Sequence, residues 1–68
     1  MKITVSHYQD PDVEIELQKI DDFGEPRRFR VKTVAKARVF IESFPATGET
    51  EAYEAYDRLV SERLEALR

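Results

Sequence analysis

Thr33-Val34-Ala35-Lys36-Ala37-Arg38-Val39-Phe40-Ile41-Glu42-Ser43-Phe44-Pro45 is the stretch on which the fold turns. Val34, Ala37, Phe40, Ile41 and Phe44 recur at intervals of three and four, which is one face of an α-helix. Thr33 suits the N-cap, since its hydroxyl can accept from an unpaired amide of the first turn. Pro45 stops the helix at Phe44, because the residue before a proline is pushed out of helical geometry. Val34, Val39, Phe40 and Ile41 are also good strand formers, so the stretch admits a second reading. The periodicity predicts a helix.

N-terminal to this stretch the period is two. Val13, Ile15 and Leu17 alternate with Glu14, Glu16 and Gln18, and Phe29 and Val31 alternate with Arg28, Arg30 and Lys32. Folding the second run onto the first through Asp21-Asp22-Phe23-Gly24-Glu25 sets Leu17 against Phe29 and Ile15 against Val31. On the other face the same register sets Glu16 against Arg30 and Glu14 against Lys32. Opposed unlike charges favour such a pairing. Ile3, Val5 and His7 alternate in a first strand, and Gln9-Asp10-Pro11-Asp12 has the chemistry of a turn. Pairing His7 with Val13, Val5 with Ile15 and Ile3 with Leu17 adds that strand to the sheet. Its apolar side is then Ile3, Val5, Val13, Ile15, Leu17, Phe29 and Val31, and its other side is polar.

C-terminal to Pro45, Ala46-Thr47-Gly48 breaks the chain and a second helix follows. Thr47 or Thr50 is its expected cap, and Glu49, Glu51 and Glu54 suit the positive end of the helix dipole. Tyr53, Tyr56, Val60, Leu64 and Leu67 form its apolar stripe, with Leu59 at the margin. The expected architecture is α+β, in the order β-β-β-α-α. A three-stranded antiparallel meander carries two C-terminal antiparallel helices on one face, and residues 1–68 form a single small domain.

Composition narrows the function classes. The chain has 68 residues, no cysteine and a net charge of −3, which excludes a disulfide framework and a thiolate metal site. No apolar run approaches a membrane span, and the expectation is a soluble cytoplasmic protein with no membrane partner. The charge is uneven: residues 27–38 carry six cations and no acid, between two acidic segments. Such a block either attracts phosphate or is answered from within the chain.

No nucleophile–base pairing, glycine-rich phosphate loop or acid/base pair stands at recognisable spacing, so no catalytic residue and no cofactor is expected. His7 with Asp10 and Asp12 resembles an oxygen/nitrogen ligand set only loosely, and no metal site is expected. Ile20, Phe23 and Val39 are apolar residues without a place in the core, and exposed aromatics flanked by charge can anchor a partner. The chain therefore reads as a small non-enzymatic interaction module, a regulator, inhibitor or accessory subunit acting on another protein. A homodimer through a sheet edge is an open alternative. A nucleic-acid-binding accessory protein using Arg27, Arg28, Lys36 and Arg38 is the second reading. An engineered sequence with no biological role is the third, since strand pairing, capping and turn chemistry all agree.

Overall fold

The strand that begins at Arg28 does not stop at Lys32. In the computed structural model, which describes residues 1–67, it continues to Ala35 and turns back on itself. The elements are β1 (Lys2–Gln9), β2 (Val13–Ile20), β3 (Arg28–Ala35), β4 (Arg38–Phe44), a 3-10 turn (Ala46–Gly48) and α1 (Glu49–Ala66). The four strands form one antiparallel sheet in the order β1-β2-β3-β4. The expected β-β-β-α-α arrangement of three strands and two helices is therefore corrected: the first helix does not exist, and its residues form the end of β3 and all of β4.

The reason lies at Lys36. It has a φ of 54°, a conformation a helix interior cannot use. Lys36 and Ala37 alone connect Ala35 to its partner Arg38, and a two-residue hairpin needs positive φ at its first loop position. The consecutive strand formers Val39, Phe40 and Ile41 then extend the ladder, so the interval-of-three pattern was a coincidence of composition. In a helix Phe40 and Ile41 would share a face. In β4 they lie on opposite sides of the sheet.

The β2–β3 hairpin exists, with a register two residues from the expected one. Leu17 pairs with Val31, Glu16 with Lys32 and Gln18 with Arg30. A two-residue shift keeps every side chain on its face, so the core membership of Ile15, Leu17, Phe29 and Val31 is unchanged. β1 departs further. Its register shifts between Thr4 and Ser6, and Ser6 pairs with Leu17 while Tyr8 pairs with Ile15. The bulge reverses the alternation, so Tyr8 joins the core side, His7 goes to the open face, and Ile3 and Val5 stay exposed.

α1 lies across the sheet. Ala52, Ala55 and Tyr56 are buried on it, with Tyr53, Leu59 and Val60 packed around them. Ala52 and Ala55 share this buried cluster with Leu17 and Val31. Leu64 and Leu67, expected in the stripe, are exposed, and Arg63 just before them is tied to Asp10 in the turn between β1 and β2. Gly48 occupies the N-cap position with no side-chain cap, so neither Thr47 nor Thr50 serves as expected. Gly48 is also where the chain doubles back: a Cβ there would meet Pro45 Cδ at 3.2 Å and Phe44 Cβ at 3.4 Å.

Candidate functional site

β4 pairs with β3 on one side and, among the described residues, with nothing on the other. Val39, Phe40 and Ile41 are 56%, 56% and 53% exposed. A run of three exposed apolar residues on an unpaired strand is an unusual arrangement, since edge strands are normally blunted by bulges, prolines or lysines. The opposite edge, β1, has such protection in its bulge and in Lys2. The β3–β4 ladder has no register shift from Ala35–Arg38 to Phe29–Phe44, so β4 is regular along its whole length.

The direction of its backbone groups follows from the hairpin. A two-residue loop closes on a pair that exchanges both hydrogen bonds, here Ala35–Arg38, and hydrogen-bonded and non-hydrogen-bonded pairs alternate from there. Val39, Ile41 and Ser43 therefore direct their N–H and C=O groups away from β3. Beside this edge, on the helix side of the sheet, runs an open groove of about 450 Å³. It is lined by Val31, Thr33, Phe40, Ile41, Glu42 and Leu59. Its walls are mostly apolar, and Thr33 and Glu42 supply no nucleophile–base pair.

The residues singled out from sequence are scattered. Phe23 is fully exposed in the β2–β3 connection, and Ile20 is half-buried on the open face opposite Lys2 and Arg28. Val39 pairs with Val34, six residues along β3 from Arg28, which is roughly 20 Å from Ile20. The sheet does not bring these three together. Val39 instead stands with Phe40 and Ile41, which the helical reading had assigned to the core.

The basic block is divided as well. Arg28 lies 3.1 Å from Asp22 and 3.7 Å from Glu25, and Arg27 lies 3.9 Å from Asp21. Lys36 and Arg38 sit at the other end of β3, in and beside the hairpin. Neither has an ion-pair partner among the described residues. Arg30 donates from Nε to Gln18 Oε1 at 2.8 Å, and Gln18 Nε2 donates to Glu16. Thr4 Oγ1 donates to the same carboxylate at 3.0 Å. Gln18 thus stands between Glu16 and Arg30, which do not oppose each other as expected. The hydrogen bond from Gln18 and that from Thr4 hold the Glu16 carboxyl below its ordinary pKa, against partial burial.

His7, Asp10 and Asp12 do not converge. Asp10 is instead a structural clasp. Its side chain is only 5% exposed, and it accepts from Arg63 Nε at 3.1 Å, Tyr8 Oη at 2.9 Å and the amides of Asp12 and Val13 at 2.8 Å. Burial opposes its charge, but these donors outweigh that and hold its pKa at about 2. The clasp ties α1 to the β1–β2 turn across 53 residues of sequence, a separation at which no local pattern could announce it. His7 turns instead toward Glu14 and Glu16, whose ligand atoms lie within 4.8 Å of its own. Glu16 is already engaged by Gln18 and Thr4, and Lys32 pairs with it across the strand.

Comparison with protein-family models, curated proteins and solved structures finds no match to this chain. No helix among the described residues is long and apolar enough to cross a membrane.

Proposed function

We propose that this chain is a small non-enzymatic interaction module that engages protein by adding a strand to β4. One observation carries the reading: β4 is a regular, unpaired edge with Val39, Phe40 and Ile41 all more than half exposed. Strand addition draws affinity from main-chain hydrogen bonds and specificity from side-chain pockets. β4 offers outward N–H and C=O groups at Val39 and Ile41 and a groove beside Phe40. The nucleic-acid reading has less to support it, because Arg27 and Arg28 are answered by acids and stand a strand's length from Lys36 and Arg38.

The test is Ile41→Pro. Proline removes the outward N–H without touching the β3 ladder, and edge strands accept it. Affinity capture from cell extract, with and without nuclease, is compared for wild type and variant. Protein retained by the wild type and lost with Ile41→Pro is the expected result. Equal retention on both together with self-association that Ile41→Pro leaves unchanged, or retention abolished by nuclease, overturns the proposal.

A further inference from the structure

The charges on β4 identify what the edge takes. Arg38, Phe40 and Glu42 share the helix side of the sheet, with Phe40 midway between the two charges. Neither Arg38 nor Glu42 has an ion-pair partner among the described residues. Two copies of β4 laid antiparallel with Phe40 opposite Phe40 set Arg38 of each against Glu42 of the other. The same register sets Val39 against Ile41 on the open face. Val39 and Ile41 are the residues whose N–H and C=O groups point outward, so they form the hydrogen-bonded pairs, two per dimer. Phe40 then falls on the non-hydrogen-bonded pair, where side chains come closest and aromatic pairs gain most. Backbone direction, apolar pairing and charge agree on one register.

We infer that the occupant of the β4 edge is a second copy of this chain, joined about a two-fold axis at Phe40 into a continuous eight-stranded sheet. The inference rests on the interaction reading above and specifies its partner. Such a contact is isologous and closed, since each copy spends the one regular sheet edge among its described residues. The β1 edges left outside are broken by the bulge between Thr4 and Ser6, which opposes further growth of the sheet. Arg38 and Glu42 oppose the registers that set Arg38 against Arg38 or Glu42 against Glu42, and the registers between set a charge against Phe40; only this one pairs both charges.

The experiment is sedimentation equilibrium on the wild type, on Ile41→Pro, on Arg38→Glu, on Glu42→Arg and on the double variant. The wild type is expected to be a dimer. Each single variant places like charges opposite each other at two equivalent positions, and dissociation should strengthen roughly 10- to 100-fold. The double variant should return to the wild-type constant. An equimolar mixture of the two single variants should form a heterodimer, because glutamate at 38 and 42 of one copy then faces arginine at 42 and 38 of the other. A monomeric wild type, an open-ended assembly, or single variants that dimerise as well as the wild type would each overturn the inference. A monomer that still loses a captured protein on Ile41→Pro would refute the dimer alone. Insensitivity of both measurements to Ile41→Pro would refute the interaction reading with it.

Discussion

Phe29→Ala and Phe40→Ala distinguish the observed strand β4 from the helix that periodicity suggests. Phe29 is 3% exposed and packs within the cluster of Ile15, Leu17, Val31 and Tyr56, whereas Phe40 is 56% exposed on the edge. Truncating a buried phenylalanine removes its transfer free energy and leaves a cavity, together about 3–5 kcal/mol. Phe40 buries less than half of its surface and opens to solvent, so no cavity forms. Less than half of the roughly 1.5–3 kcal/mol for full burial leaves a cost of about 1 kcal/mol. A domain of this size has a total stability of roughly 3–10 kcal/mol, so Phe29→Ala brings it near unfolding while Phe40→Ala does not. Phe29→Leu keeps the comparison measurable if the alanine variant does not fold. The assay is urea unfolding followed by circular dichroism over a range of protein concentrations and extrapolated to infinite dilution, because the proposed dimer would add apparent stability by mass action. Equal losses for Phe29→Ala and Phe40→Ala would refute the reasoning, since Phe40 would then be packed as a covering helix requires.

Acid stability should carry the signature of Asp10. Its folded pKa of about 2 lies below the ordinary carboxylate value of about 3.9, so the stabilisation is complete above about pH 4 and is lost as pH falls toward 2. Asp10→Asn should flatten that acid limb of the urea midpoint between pH 5 and pH 2, and parallel curves for variant and wild type would contradict the clasp. Gln18, 1% exposed between Arg30 and Glu16, should be costly to remove. Gln18→Ala leaves two polar partners unmatched, with an expected loss of about 1–3 kcal/mol in the same unfolding assay; a loss near zero would show that solvent replaces it freely.

The sequence made the face of each central strand legible, though not its register. Ile15, Leu17, Phe29 and Val31 had to share a side because any register that separates them exposes half of them. Glu14 and Glu16 can meet Arg30 and Lys32 in more than one even-numbered alignment, however, and charge alone did not choose between them. In the structure Glu16 meets Lys32, and Glu14 meets Val34. β1 was misaligned because a bulge leaves no mark in a short alternating run: Ile3, Val5 and His7 alternate on paper, and the shift at Thr4–Ser6 reverses the second half. α1 was legible from Glu49 onward through its acidic first turn and Tyr56, while Ala52 and Ala55 were passed over because small residues add little to an apolar stripe. At the candidate site, Val39 stands out in the sequence as an apolar residue off the helical face. Phe40 and Ile41 do not, because the same helical pattern accounts for them. The signal available was the unbroken run of three strand formers, which a helix with a solvated side would not carry.

The exposed edge also follows from the proportions of the fold. α1 is 18 residues long, roughly 27 Å, and a helix is about 10–12 Å across with its side chains. Four strands at about 4.8 Å spacing place β1 and β4 roughly 14 Å apart, and their side chains extend farther still. One helix therefore covers the middle of the sheet, where Leu17 and Val31 are 0% and 2% exposed, and cannot cover both margins. At the β1 margin the bulge and Ser6 reduce what is left uncovered. At the β4 margin Phe40 remains, with the groove beside Leu59. The proposed pairing about Phe40 would place a second α1 on the same face of the enlarged sheet, so that two helices would flank the two Phe40 side chains. In the proposed dimer the surface that one short chain cannot bury lies at the centre of the assembly, and the two charges of β4, Arg38 and Glu42, set the register there and do not block the edge.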